Sequence, residues 1–404
     1  MLNPEISRGK KGPRAAQASG TGSKTTAWRF VVMISMVSLL SDTTYEGARS
    51  ITGPFLAFLG AGAAAVGVVA GVGELMGYGF RLLSGHLADR TKAYWPITIS
   101  GYCLNLLAVP ALALAGSWEA AAMLIILERL GKAVRVPPRD AMLSHAASET
   151  SRGWAFGLHE AMDQLGAFVG PLAVSLVMFL QGGYRTAFGV LLVPALMSLG
   201  MLFLTRAQYP RPQELEIPLP SLDKRGMRKV FWLYLGAAAA IGAGYADFPL
   251  IAYHMKQTGI MAEKWIPVVY AAAMAADGLA AMALGKLYDR LGILVLAGVC
   301  VITSVFPALV FWGGEALVVA GMVIWGVGMG AQESVVRAAI AQMVPPDRRA
   351  TAYGIFHAVF GVSWFLGSAA MGLLYDVSLG GLVALSTGLQ LLAAFILLKM
   401  RGQG

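Results

Sequence analysis

Apolar stretches of about twenty residues recur along nearly the whole chain, and a helix needs about that length to cross a membrane. Only 13% of the 404 residues are charged and 57% are hydrophobic. That balance is typical of membrane proteins with many spans rather than of soluble domains. The sequence therefore predicts an all-α, polytopic membrane protein.

Charged and Gly/Pro-rich clusters divide the apolar sequence into twelve predicted spans. We expect a disordered basic cytoplasmic tail at 1–27, a six-helix bundle at 28–206, a cytoplasmic linker at 207–228 and a second six-helix bundle at 229–400. The first span is expected to break near Pro54. The spans lie at 28–59, 63–84, 95–116, 119–143, 153–180, 185–205, 229–255, 264–285, 292–312, 315–342, 350–375 and 380–399.

Lysine and arginine fall mostly on one side of this topology. If both termini are cytoplasmic, only Arg185, Lys256 and Lys264 lie in outward segments, as the positive-inside rule requires. Topology then accounts for the net charge of +9, which argues against a nucleic-acid partner. We expect a multi-pass protein of the cytoplasmic (inner) membrane, surrounded by lipid, with both termini inside.

Two motifs occur twice. GHLADR at 85–90 returns as GKLYDR at 285–290, and RGWAFGLHEAM at 152–162 returns as RATAYGIFHAV at 349–359. The repeat indicates that six spans have been duplicated. Two parallel halves of this kind enclose a site near the membrane midplane in alternating-access carriers.

These motifs, together with the glycines of the fifth span, resemble the major facilitator superfamily over residues 28–400. The resemblance implies a twelve-helix secondary carrier of a small molecule that acts as a monomer. It also implies a gating motif that latches the inner gate in the outward-facing state, whereas a static helix-end ion pair is the alternative. The motif residues are Gly85, Asp89, Arg90, Gly285, Asp289 and Arg290.

The fifth span resembles exporters of that superfamily in the spacing of Gly157, Gly166, Gly170 and Pro171. The glycines lie on about one stripe of a helix, which makes a smooth surface for a neighbour, and Pro171 is expected to bend the helix. Ordinary close helix contact and an antiporter-type seal are both open interpretations.

Ionisable residues concentrate inside the spans of the first half. A charge at mid-membrane costs at least about 2.5–3.5 kcal/mol, so it persists where it pairs or lines a cavity. Helical spacing puts each set on one face. The sets are Asp42, Glu46 and Arg49 in the first span, Glu74, Tyr78 and Arg81 in the second, and Glu128, Lys132, Arg135 and Arg139 in the fourth.

We expect these charges to face one another and to couple transport to protons. Burial favours a protonated carboxyl group and a nearby arginine favours the ionised form, and competition between the two can exchange a proton for substrate. Fixed bridges between helices are the alternative. The expected proton-coupling residues are Asp42, Glu46, Glu74, Glu160 and Asp163; the expected counter-ions or substrate contacts are Arg49, Arg129, Arg337, Glu333 and Asp247. An aromatic wall is expected from Tyr245, Tyr270, Trp325, Phe356 and Trp364.

No motif indicates an enzyme, a cofactor or a metal, and Cys103 and Cys300 lack metal-ligand spacing. The sequence thus favours a secondary active transporter that couples protons to export of a small organic solute by antiport. Proton-coupled uptake of an anionic metabolite is an alternative. A transport-inactive sensor or assembly partner is another.

Overall fold

The computed structural model describes residues 18–147, 152–210, 229–344 and 349–401, and all regular structure in these ranges is helical. Short 3₁₀ turns occur at Leu112–Leu114 and Glu263–Trp265. The α-helices are α1 (Ala18–Phe58), α2 (Ala63–Thr91), α3 (Tyr94–Ala111), α4 (Trp118–Ala147), α5 (Arg152–Phe179), α6 (Tyr184–Val190), α7 (Leu192–Gln208), α8 (Lys229–Gly244), α9 (Phe248–Thr258), α10 (Ile266–Leu291), α11 (Leu294–Thr303), α12 (Phe306–Trp312), α13 (Glu315–Met343), α14 (Arg349–Val377) and α15 (Leu379–Arg401).

Ten segments of the described chain are long and apolar enough to cross a membrane. Three of them combine two helices each: α6 with α7, α8 with α9, and α11 with α12. Helices α1 and α4 also have the length, at 41 and 30 residues, but they carry a large share of the intramembrane charge. Together these helices correspond to the twelve predicted spans, and the predicted all-α membrane fold is confirmed.

Helix α1 begins at Ala18, inside the predicted tail 1–27, while residues 1–17 lie outside the described part of the chain. Most of the predicted linker 207–228 also lies outside it, since the description stops at residue 210 and resumes at 229.

Helices α1–α7 form one half of the molecule and α8–α15 form the other. In the first half α1 contacts α5 and α7, and α4 contacts α2 and α3; in the second, α10 contacts α13, and α15 contacts α8 and α11. The most extensive contacts between the halves are those of α2 with α14, α5 with α10, and α1 with α9. The halves therefore face each other along two long seams, with α1 and α9 between them.

Helix α5 approaches α1 closely at two of the predicted glycines. A Cβ atom on Gly166 would lie 2.9 Å from the Cβ of Asp42, and one on Gly170 would lie 2.9 Å from the backbone nitrogen of Gly47. A Cβ on Gly157 would meet no atom within 4 Å. Two of the three glycines thus serve the close contact, and α5 continues as a single helix through Pro171.

The seventh span is interrupted in the middle, which the sequence interpretation missed. Helix α8 ends at Gly244 and α9 begins at Phe248, so residues 245–247 leave the helix at membrane depth. Side chains of other helices satisfy the released carbonyl groups, as a break in lipid requires. Ser386 Oγ donates to the Gly244 carbonyl at 2.5 Å, and Trp325 Nε1 donates to the Ala246 carbonyl at 3.0 Å.

The predicted break in the first span is wrong. Helix α1 runs without interruption through Pro54 and ends at Phe58. Pro54 lacks the N–H that would bond the carbonyl group of residue 50, but the helix continues for only four residues beyond it.

The two halves are closed against each other on one side. We call the side where α7 ends and α8 begins the linker side, and the other the opposite side. On the opposite side the Tyr184 hydroxyl donates to the Glu263 carboxylate, and Lys256 Nζ lies 2.5 Å from Glu263 Oε1. Ser175 Oγ donates to the Lys264 carbonyl at 2.7 Å. The bonds of Tyr184 and Ser175 join the first half to the second, whereas Lys256 and Glu263 both belong to the second half.

We expect Gly170→Ala to destabilise the protein. The added methyl group would meet the backbone of α1, which cannot rotate away, so the two helices must separate at a cost of about 1–3 kcal/mol. The apparent melting temperature of the detergent-purified protein, followed by tryptophan fluorescence, should fall.

Gly157→Ala is the matched control, because it places the same methyl group on the same helix in open space. Its melting temperature should equal or exceed that of the wild type, since alanine is the better helix former. Equal melting temperatures for the two variants would contradict the close contact between α1 and α5.

Candidate functional site

A cavity of about 440 Å³ lies between the two halves, which we call the central cavity. Its walls come from α1, α2, α4 and α5 of the first half and from α10, α13 and α14 of the second. It reaches from mid-membrane towards the linker side, where its lining includes Arg81 near the end of α2, Arg139 near the end of α4 and Tyr353 near the start of α14.

All five predicted proton-coupling residues line this cavity, as do three of the predicted counter-ions or substrate contacts. Asp247 borders a second, smaller cavity of about 30 Å³ beside it. The side chain of Arg337 lies outside the described part of the structure. The lining residues from the two predicted sets are Asp42, Glu46, Glu74, Glu160, Asp163, Arg49, Arg129 and Glu333.

Four basic residues of α4 form a ladder along the cavity wall. They recur every three or four residues, so they share one face of the helix. Each has at least one carboxylate within ion-pair distance. The pairs are Arg129 with Glu128 (3.3 Å) and Glu74 (3.6 Å), Lys132 with Glu46 (4.0 Å), Arg135 with Asp42 (3.7 Å), and Arg139 with Asp140 (2.8 Å) and Asp163 (3.9 Å).

This ladder and its carboxylate partners form what we call the charged network. A buried charge whose partner is removed is strongly destabilising, whereas a paired one is tolerated. Tyr45 adds two charge-assisted bonds, because its hydroxyl donates to Asp42 at 2.9 Å and accepts from Lys132 at 2.7 Å. Arg135 also lies over the Tyr102 ring at 4.4 Å. The network therefore holds many charges in a small volume without leaving a network arginine or lysine unpaired.

At least three side-chain hydrogen bonds cross between the halves at the cavity within the described part of the chain. Arg49 bonds Asp247 at 3.4 Å and also Glu74 at 3.1 Å. The Tyr270 hydroxyl donates to Glu46 at 2.5 Å. Farther along, Gln164 Nε2 donates to Glu333 at 3.3 Å. Each of the three bonds has a carboxylate as its acceptor.

Asp247 owes its position to the break in the seventh span. As the residue just before α9, it lies outside the helix and only 1% of its surface is exposed. Trp364 Nε1 and Ser368 Oγ donate to its Oδ2 at 2.9 Å and 2.8 Å, while Arg49 contacts Oδ1. Both oxygens therefore have donors, and one donor comes from the other half of the protein.

Two of the five residues predicted for the aromatic wall do not line the central cavity. Tyr270, Phe356 and Trp364 do so. Tyr245 and Trp325 lie behind the wall instead, fully buried beside the break, where their rings contact each other at 5.8 Å between centroids. They support the broken helix, and helical spacing alone does not distinguish that role from cavity lining.

The predicted gating motif lies at the linker side. Gly85 is close to Pro137 of α4, since a Cβ on it would lie 3.4 Å from the Pro137 Cβ, whereas Gly285 has open space. Arg90, Asp289 and Arg290 are exposed and form no ion pair with another described side chain. The side chain of Asp89 is outside the described part.

Several lining residues received no role from sequence reasoning. Lys132, Arg135 and Arg139 were placed on one helix face, and their spacing was the available signal for a shared wall. Asp277 is 2% exposed and lines the cavity from α10. Its only signal was a carboxylate inside an apolar span.

Among the described residues, no three His, Cys, Asp or Glu side chains are placed to hold a metal ion. The cavity is thus lined by carboxylates, cations, amides and aromatic rings, a set that suits a small organic molecule.

Comparison with known proteins agrees with this architecture. The family model described as Major Facilitator Superfamily matches residues 29–368 and 265–402. An uncharacterized protein of Mycobacterium tuberculosis is 44% identical over 383 residues, covering 93% of this chain and 94% of the relative. An uncharacterized MFS-type transporter of Methanocaldococcus jannaschii is 22% identical over 376 residues, covering 90% and 94%.

Solved structures with the same fold are transporters. The nucleoside transporter NupG aligns with a TM-score of 0.72 at 14% identity, over 92% of this chain and 99% of that chain. A POT family transporter in complex with 5-aminolevulinic acid aligns with a TM-score of 0.76 at 12% identity, over 93% and 96%. The fold is therefore that of a transporter and not of an enzyme, and the chain belongs to the Major Facilitator Superfamily.

Proposed function

We propose that this protein is a proton-coupled antiporter that exports a small organic solute across the cytoplasmic membrane. The observation that carries the proposal is that carboxylates accept all three hydrogen bonds described above between the halves at the cavity: Glu46, Asp247 and Glu333. Family membership gives the transport fold, and these contacts suggest where a proton would act on it.

A proton on one of these carboxyl groups weakens the bond that crosses the halves. The ionised carboxylate accepts strong, charge-assisted hydrogen bonds, and the neutral acid accepts weaker ones. For Asp247 the loss of charge also removes its attraction to Arg49. Protonation thus favours separation of the halves, and deprotonation favours the contacts described here.

Exchange follows if solute and proton compete for the same carboxylates. A solute that needs the ionised form cannot bind while the proton is present, and the proton cannot bind while the solute blocks it. Such competition gives antiport. A symporter would instead require the proton to create the solute site.

We propose that the linker side, with its basic connections, faces the cytoplasm, that both termini are there, and that a single copy acts within the lipid bilayer. The cavity then opens inward. Gly85, Asp89, Arg90 and their counterparts would latch this side only after the opposite side has opened.

The direction in which protons move relative to the solute distinguishes antiport from symport. Solutes that raise the melting temperature of the purified protein can first be selected as ligands. In proteoliposomes with a pH dye inside, solute added outside should enter while protons leave, so the interior should become more alkaline. Glu46→Gln should abolish this alkalinisation, because the amide cannot exchange a proton.

Glu119→Gln is the control, since Glu119 is an exposed carboxylate at the start of α4, far from the cavity lining. It should retain the wild-type signal. If the interior became more acidic instead, the protein would be a symporter and the antiport proposal would be wrong. Ligand binding without any proton movement in the wild type would favour the transport-inactive alternative.

A double-mutant cycle tests the bond between Arg49 and Asp247. Asp247→Ala leaves Arg49 buried with one carboxylate fewer, and we expect a loss of about 3 kcal/mol in the free energy of unfolding. Arg49→Ala/Asp247→Ala should lose less than the sum of the two single variants by at least about 1 kcal/mol. Equilibrium unfolding in mixed micelles measures each value.

The pair Arg49→Ala and Asp289→Ala provides the matched cycle, because Asp289 is exposed and outside the charged network. In this cycle the losses in the free energy of unfolding of the two single variants should add. Additive losses for Arg49 and Asp247 as well would show that this contact does not hold the halves together.

A further inference from the structure

We infer that the wall of the cavity facing the charged network binds the ammonium group of the transported solute, which makes the solute an organic amine. The residues are Glu160 and Gln164 of α5, Asp277 of α10, and Gln332 and Glu333 of α13, which we call the acid–amide cluster. The inference rests on the proposed transport function and assigns its substrate class.

The cluster forms where the two halves meet. Gln164 Nε2 donates to Glu333 at 3.3 Å, and the Gln164 side chain also bonds Asp277. The acidic neighbours of Asp277 are Glu333, Glu160 and Glu46. Helices α10 and α13 approach closely at this level, since a Cβ on Gly330 would lie 2.8 Å from the backbone nitrogen of Ala281. Asp277, Gln332 and Glu333 are thus held on closely packed helices of the second half, and Glu160 and Gln164 line the same cavity from the first.

Three oxygen atoms of this cluster are buried without a hydrogen-bond donor in the described structure: Asp277 Oδ1, Gln164 Oε1 and Gln332 Oε1. The orientation of each amide group is fixed by the hydrogen bond of its nitrogen atom. Gln164 Nε2 donates to Glu333, and Gln332 Nε2 donates to the Gly328 carbonyl at 3.3 Å, so Oε1 is the remaining polar atom of each amide. Buried acceptors of this kind normally have a donor. Three such acceptors among the residues that line one cavity indicate a ligand that brings donors.

The charged network supplies no such donors. Its cations already have carboxylate partners on their own wall, whereas neither Asp277 nor Glu160 has a lysine or arginine within ion-pair distance among the described side chains. An ammonium group is a compact cation with up to three N–H donors and no acceptor. It complements a set of carboxylate and amide oxygens both in charge and in hydrogen bonding.

Neighbouring aromatic rings suit the body of an organic amine. Tyr270, Phe356 and Trp364 line the same cavity, and Tyr78 stacks on His357 at 5.6 Å between centroids. Rings bury apolar groups and attract cations over their faces. The cavity volume of about 440 Å³ admits a small organic molecule, and no metal-binding set occurs among the described residues.

The experiment compares matched compounds on the purified full-length protein. The panel contains aromatic and aliphatic primary amines, each with its neutral alcohol and its carboxylate of the same skeleton, and binding is measured by the shift in melting temperature with concentration. We expect the amines to raise the melting temperature, and the matched alcohols and carboxylates to leave it unchanged. Asp277→Asn and Gln332→Met should each weaken amine binding about tenfold or more, since each removes a hydrogen-bond acceptor for a charged donor.

Asp376→Asn is the control, because Asp376 is exposed near the end of α14 and outside the cavity lining, and it should bind amines like the wild type. If Asp277→Asn does not fold, Gln332→Met alone decides. The inference is overturned if the alcohols or carboxylates bind as well as the amines, if no amine binds, or if both variants keep wild-type affinity. A carboxylate ligand that still drives proton counterflow would overturn the substrate class and leave the proposed antiport intact.

Discussion

The cost of burying charge in a membrane governs the interior of this protein. Helices α1, α2 and α4 carry Asp42, Glu46, Glu74 and a ladder of arginines and lysine that hydrocarbon would not tolerate singly. They are accommodated because the helices turn these faces towards one another, so that each basic residue of the ladder meets a carboxylate. The apolar faces are left for the outside. Because these buried charges are stable only as pairs, protonation of one carboxylate disturbs the network.

The break in the seventh span serves the same network. By leaving the helix at residues 245–247, the chain brings Asp247 to the middle of the protein, where Arg49 of the other half reaches it. The cost in lost backbone hydrogen bonds is offset by side chains of α13 and α15, with Tyr245 and Trp325 supporting the turn. One half thus offers a charged wall, and the other contributes a fixed carboxylate, aromatic rings and most of the acid–amide cluster.

Sequence reasoning predicted the parts of this arrangement that depend on period and length. Twelve spans follow from apolar length, and the shared face of Asp42, Glu46 and Arg49 follows from 3.6 residues per turn. Partner choice does not: Glu46 bonds Tyr270, 224 residues away in sequence, and only the relative placement of the halves determines it. Pro54 suggested a break that α1 does not have, whereas the real break follows two glycines in an apolar run. A local propensity is overruled wherever neighbouring helices can supply the missing hydrogen bonds.

The central claim is that carboxylates at the seam between the halves decide which side is open. Spin labels at Leu180 and Val377 report the opposite side, in a protein without Cys103 and Cys300, and a pair at Leu83 and Leu287 reports the linker side; all four positions are exposed. Distances are measured by double electron–electron resonance in lipid nanodiscs. In Glu46→Gln/Asp247→Asn, which mimics the protonated seam, the opposite-side distance should lengthen and the linker-side distance should shorten relative to the wild type. Unchanged distances in a folded double variant would contradict the account.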